Sequence, residues 1–124
     1  MYELAVKRDF IAQHFLVGGD WGAENRKHSH HYRLEVELTG QSLDPHGFVV
    51  DIVAVNAYLE QLISRYRDNT LNDLADFKGL NPSIENLARI LHQSLRQPVR
   101  AAGISSFAVK VWEDEIAWVS YREG

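Results

Sequence analysis

The chain contains no cysteine, which removes disulfide stapling, thiolate metal sites and Cys-x-x-Cys redox chemistry together. Any metal it holds must take nitrogen or oxygen ligands. Proline is scarce too, with 3 in 124 residues, and no internal repeat or low-complexity tract is visible. Basic charge is in short supply: 13 Lys and Arg stand against 17 Asp and Glu, a formal net charge of −4. With no basic cluster either, nucleic acid is not an expected partner. No apolar run reaches the length of a membrane span. The opening Met1-Tyr2-Glu3-Leu4-Ala5-Val6-Lys7-Arg8 lacks a signal-peptide core, so the cytoplasm is the expected compartment. A chain of 124 residues suits one domain, 1–124, and is too short for two comfortable ones.

What the chain does have is alternation. Tyr2, Leu4, Val6, Phe10, Ala12 and His14 share one parity, with Glu3, Lys7, Asp9 and Gln13 on the other, the mark of a half-buried strand. Arg8 interrupts the apolar side, which suggests a bulge or a sheet edge. Gly18-Gly19-Asp20-Trp21-Gly22 reads as a loop. Residues 30–40 alternate again, Tyr32, Leu34, Val36 and Leu38 against Arg33, Glu35, Glu37 and Thr39. After a turn at Asp44-Pro45-His46-Gly47, Asp51 suits the N-cap of a helix over roughly 52–66. Its stripe is Val55, Tyr58, Leu59, Leu62 and Tyr66. Pro82 suits the first position of a second helix with stripe Ile84, Leu87, Ala88, Leu91 and Leu95, and Gln97-Pro98 is expected to end it. Two closing strands, about 104–113 and 115–122, are expected to turn about Glu113-Asp114-Glu115. The order ββααββ predicts an α+β fold, a four-stranded antiparallel sheet with both helices on one face.

Three histidines carry the chemistry. In His28-Ser29-His30-His31-Tyr32, extended backbone projects His28 and His30 from one face and His31 from the other. His14 ends the first alternating segment on its apolar parity and can supply a third nitrogen across the sheet. Three neutral imidazoles with an open fourth position describe a catalytic zinc site better than a structural one. The bland reading is that solvent-facing histidines happen to cluster. His46, in a turn, and His92, on the polar flank of the second helix, are read as surface residues.

Two carboxylates stand out beside them. Glu113 ends the apolar face formed by Phe107, Val109 and Val111. Either the strand has reached solvent there, or the carboxylate is a buried acceptor for a ligand with adjacent N–H groups, since an unpaired buried charge is costly. Glu24, four residues before His28, is either a general base beside a metal or one more loop carboxylate. Asp51 and Glu85 read as helix N-terminal acids that complement the dipole.

Taken together the segments resemble the 6-pyruvoyl-tetrahydropterin synthase and 6-carboxy-tetrahydropterin synthase family. Phe10-Ile11-Ala12-Gln13-His14 is similar to its first zinc-ligand motif, and His28-Ser29-His30-His31-Tyr32 to its His-Gly-His-Asn-Tyr. Gly47-Phe48-Val49-Val50-Asp51, Leu71-Asn72 and Pro82-Ser83-Ile84-Glu85-Asn86-Leu87-Ala88 match further family segments in order, and Trp112-Glu113 falls where the family has its pterin-anchoring glutamate. The resemblance implies the tunnelling fold (T-fold), in which subunits join sheets into a barrel, commonly trimers stacked into a hexamer with active sites between subunits. It implies a Zn2+ site of His14, His28 and His30, a pterin pocket closed by Glu113, and a lyase or synthase acting on 7,8-dihydroneopterin triphosphate.

The departures concern the catalytic loop. Where the family usually has a cysteine, four residues before the His-x-His pair, this chain has Glu24. The family's Leu-Asp-His-x-x-Leu-Asn is replaced by Tyr66-Arg67-Asp68-Asn69-Thr70-Leu71-Asn72. Ungapped, Asp68 takes the place of the histidine; with a one-residue gap it keeps the aspartate and Asn69 replaces the histidine. Relatives with a glutamate at or near the cysteine position are associated with side-chain cleavage to 6-hydroxymethyl-dihydropterin. On this reading Glu24 is the base and Asp68 assists it or the substrate. The rival readings are a pterin binder without turnover and a metal-binding scaffold with no pterin link.

Overall fold

The two alternating segments become two long paired strands. In the computed structural model, which describes residues 1–104 and 106–123, β1 (Tyr2–His14) runs antiparallel to β2 (His28–Gly40). β3 (Ser106–Glu113) and β4 (Ala117–Tyr121) complete a four-stranded sheet of order β1-β2-β3-β4, antiparallel throughout. The predicted start of the third strand includes Ser105, which lies outside the described residues, as does Gly124 at the end of the predicted domain.

Between β2 and β3 come α1 (Ile52–Ser64) and α2 (Ile84–Ala101), with single 3-10 turns between them. Asp51 caps α1 as expected, its Oδ1 accepting from the main-chain N–H groups of Val53 and Ala54. The buried side of α1 is Val55, Leu59 and Ile63. Tyr66 falls beyond the helix end, fully buried, and its hydroxyl donates to Asp76 at 2.6 Å.

α2 covers β3 and β4 while α1 sits against β1, so both helices share one face of the sheet. Leu87 and Leu91 of α2 are fully buried in the core cluster that also holds Tyr32, Leu34, Val36 and Leu38 of β2 and Val109 and Val111 of β3. Each such leucine contributes about 1.5–3 kcal/mol relative to exposure.

Three expectations are corrected. Pro82 is not the first helical residue: Ser83 is the cap, its Oγ accepting from the Asn86 N–H, and Pro82 precedes it. Pro98 does not end α2, which runs on to Ala101. Proline there lacks the N–H for one ladder hydrogen bond and its ring crowds the Ser94 carbonyl, a penalty that the packing of α2 outweighs, and the chain turns away at Gly103, where φ is +90°. His92 is not a surface residue. Because α2 spans two strands its buried arc is wide, and His92 is 2% exposed, stacked on Phe107 at 4.1 Å between centroids.

Arg8 is resolved in favour of one alternative. The β1–β2 register is uninterrupted from Tyr2↔Gly40 to His14↔His28, so there is no bulge in that pairing, and β1 is the edge strand. Arg8 reaches toward Glu60 on the flank of α1, 3.9 Å away.

Candidate metal centre

Strand register delivers the histidines. His14, the last residue of β1, pairs with His28, the first of β2, while His30 pairs with Ala12. All three project from one face, and their Nε2 atoms converge: 3.1 Å from His14 to His28 and 2.9 Å from His28 to His30. The rings meet close to edge-on, with centroids 4.6–4.7 Å apart. His31 points to the other face, where its Nε2 lies 3.2 Å from Asp9. His46 is exposed in its turn.

The far nitrogen of each ring is already committed. His14 Nδ1 donates to the Pro82 carbonyl at 2.9 Å and lies 3.1 Å from the Tyr32 hydroxyl. His28 Nδ1 donates to the Arg26 carbonyl at 2.6 Å, and His30 Nδ1 to the Asp114 carboxylate at 2.6 Å. Carbonyls and carboxylates accept, so in each neutral ring the proton sits on Nδ1 and Nε2 is bare. Burial pushes the His14 imidazole down to about 4, outweighing the opposing pull of the Pro82 carbonyl. Three bare lone pairs at such separations repel one another unless a cation lies among them.

Glu24 supplies a fourth donor. Its Oε2 is 2.6 Å from His28 Nε2 and 3.9 Å from Nε2 of both His14 and His30. Together the four residues form a group able to hold a metal ion. The donor set fits zinc, which takes imidazole and carboxylate ligands in four-coordinate sites. The Glu24 side chain is 47% exposed, so solvent reaches it.

Asparagines build the frame around this centre. Glu24 sits in the 3-10 turn Gly22–Asn25. The Asn25 side chain fastens that turn, donating to the carbonyls of Leu16 and Gly19 and accepting from the Trp21 N–H. Asn72 accepts from the Phe15 N–H and donates to the Phe15 carbonyl, gripping the backbone just after His14. Asn81 does the same at Val17. Each amide acts as a portable peptide group, satisfying loop backbone that has no strand partner.

Glu113, the last residue of β3, also reaches the cluster, with Oε1 3.6 Å from His30 Nε2. Its side chain is only 26% exposed, so the strand has not reached open solvent there. Burial raises its carboxyl above the usual range, with His30 opposing and Glu24 and Asp114 adding to the rise. Asp68 is not brought to the cluster. It lines a separate depression with Asp9, Phe10, Ile11, His31 and Arg67, and its N–H donates to the Ile11 carbonyl. Glu85 lies in the first turn of α2.

The sequence model of the family described as 6-pyruvoyl tetrahydropterin synthase matches residues 3–124. The chain belongs to that family. It is 29% identical over 100 residues to the 6-carboxy-5,6,7,8-tetrahydropterin synthase of Bacillus subtilis, a match covering 77% of this chain and 66% of that protein. The chain thus spans just under two thirds of the length of that curated relative. Its fold matches the Caenorhabditis elegans 6-pyruvoyl tetrahydropterin synthase with a TM-score of 0.85 at 22% identity, covering 100% of this chain and 98% of the other. A Plasmodium vivax 6-pyruvoyltetrahydropterin synthase, in the form of a mutant with alanine replacing a glutamate described as a catalytic residue, matches with a TM-score of 0.80. The identity is 14% over 99% of this chain and 98% of that one. The family's fold, a four-stranded antiparallel sheet with two helices, is therefore the fold of this chain.

Sequence reasoning missed the groups behind the ligands. Asp114 was legible only as a turn residue, Pro82 only as a helix start and Tyr32 only as core. A carboxylate following Glu113 in a tight turn was the one available hint. Nothing in a periodicity links it to a histidine 84 residues away.

Proposed function

We propose that this chain is a zinc-dependent pterin synthase or lyase acting on 7,8-dihydroneopterin triphosphate, with 6-carboxy- or 6-pyruvoyl-tetrahydropterin as the product class. The observation that carries it is the convergence of three Nε2 atoms whose Nδ1 partners leave them bare. His14, His28 and His30 would hold the ion. When bound, such an ion supplies Lewis acidity, lowering the pKa of a substrate hydroxyl. Glu24 is the base, since its carboxylate sits at the rim of the trio and is open to solvent. Glu113 is the pterin anchor: a half-buried carboxylate can accept from two adjacent N–H groups of a ring edge.

Asp68, on the far side of β1, would join the site only across a contact between copies. That is in keeping with assembly into a barrel, as trimers paired into a hexamer, and β1 and β4 are the edges at which sheets would join. Among the described residues no helix is long and apolar enough to cross a membrane.

The glutamate described as catalytic in the Plasmodium vivax relative supports a carboxylate as base. With Glu24 as base, side-chain cleavage to 6-hydroxymethyl-dihydropterin is the alternative product. The same Glu24 geometry favours a second reading. An oxygen within 3.9 Å of all three Nε2 atoms can close the coordination sphere, which describes a binder rather than a catalyst. Incubating the zinc-loaded chain with 7,8-dihydroneopterin triphosphate and weighing the products decides between them. A new pterin supports the enzyme, unchanged substrate with tight pterin binding supports the binder, and neither turnover nor binding leaves only a metal scaffold.

A further inference from the structure

The three histidines are not held alike. His14 and His28 rest on neutral main-chain carbonyls, those of Pro82 and Arg26. His30 alone rests on a charged group, the Asp114 carboxylate, with Oδ2 2.6 Å from Nδ1. The other oxygen, Oδ1, accepts from the His31 N–H at 3.1 Å, and the Asp114 N–H donates to the His31 carbonyl at 2.9 Å. Asp114 is thus clamped to the main chain of the residue next to the ligand, at both its backbone and its side chain.

Its backbone conformation points the same way. Asp114 has φ of +54°, the left-handed region that favours glycine. Glycine meets that conformation with less strain, and aspartate is among the few other residues common there, so the turn admits the carboxylate that the His30 ring uses. An ionised partner on Nδ1 both fixes the ring and raises the donor strength of Nε2 more than a carbonyl does.

We infer that Asp114 is the positioning residue that holds the His30 ring with Nε2 bare, and that it sets how tightly the centre retains a divalent cation. The inference rests on the metal reading proposed above. It adds a division of labour among the ligands: His30 is the strong anchor, while His14 and His28 complete the set.

The test uses the full-length chain and Asp114→Gly, which suits the left-handed backbone while removing the carboxylate. Nitrogen NMR of the metal-free proteins, above the histidine titration range, reads the tautomer of each ring. In the parent chain His30 is expected in the Nδ1–H form, and in Asp114→Gly it is expected to shift to a mixture with Nε2–H. Zinc and cobalt affinities are expected to fall about 10–100-fold in the variant. Asp114→Asn keeps an acceptor oxygen and tolerates the same backbone, so it should retain the tautomer and lose less affinity than the glycine variant. An unchanged His30 tautomer and unchanged affinity in Asp114→Gly would overturn the inference. Affinity in Asp114→Asn equal to the parent's would overturn the role given to the charge. If the parent chain binds neither ion, the metal reading fails, and the tautomer comparison still decides whether Asp114 positions His30.

Discussion

His14 Nδ1 donates to the main-chain carbonyl of Pro82, 2.9 Å away and 68 residues further along the chain. That one bond joins the end of β1 to the residue preceding the cap of α2. It makes the helix start part of the metal centre, and it gives Pro82 a role different from that of an ordinary helix opener.

The coupling predicts that Ser83→Ala does two things. Loss of the cap should destabilise the chain by about 1 kcal/mol in urea melts. Zinc affinity should fall with it, because the adjacent Pro82 carbonyl is no longer held. Lost stability with unaltered zinc affinity would show that the helix start and the ligand are independent.

Adding metal should raise the thermal midpoint. An ion that binds only the folded chain stabilises it by about 2.7 kcal/mol at a concentration 100 times Kd. Melts with excess zinc should therefore lie several degrees above melts with chelator. His30→Ala should erase the difference, and a midpoint indifferent to zinc would speak against the centre altogether.

Glu24→Gln separates base from ligand. If Glu24 is the base, turnover should drop about 100- to 10,000-fold while zinc content in the purified protein stays near that of the parent. Should it instead be a fourth ligand, zinc affinity would weaken and any pterin binding would change with it. Elemental analysis beside a product assay reads both.

His92 gives a pH dependence away from the metal centre. Burial lowers its pKa, the Phe107 carbonyl that accepts from Nε2 opposes this, and Arg96 lowers it further. A histidine titrating lower when folded binds fewer protons than the unfolded chain does below about pH 6.5. The folded state is thus favoured above that value, and stability is lost as pH falls from there toward the folded pKa. Metal-free His92→Phe, which keeps an aromatic ring against Phe107, should lose less stability than the parent between neutral and mildly acidic pH. Identical slopes would remove His92 from the account.

Much of the centre was legible because β-strands have a period of two. Parity alone put His14, His28 and His30 on one side of a sheet and His31 on the other, and antiparallel order made a meeting of the strand ends natural. Parity could not say that His14 would pair with His28 rather than with a residue further along β2. That follows from a register of 13 unbroken pairs across the whole of both strands. Helix reasoning was less secure. Asp51 was recognised because a cap acts on its immediate neighbours. The end of α2 was misplaced because packing on two strands outweighs what Pro98 forfeits, and no local signal reports that packing. His92 was misjudged for a related reason: how wide an arc a helix buries depends on what lies beneath it.

Taken alone, the order of residues determined the elements, the faces they present and the identity of the nitrogen donors, since these depend on local backbone geometry and side-chain chemistry. Only the tertiary structure decided which hydrogen-bond acceptor stands behind each donor ring, that Glu24 enters the cluster, and that Asp68 stays outside it. Apart from the local contacts of His28 with Arg26 and Glu24, these join segments distant in the chain. Their distances depend on how the sheet, loops and helices pack, and no periodicity within one segment encodes them.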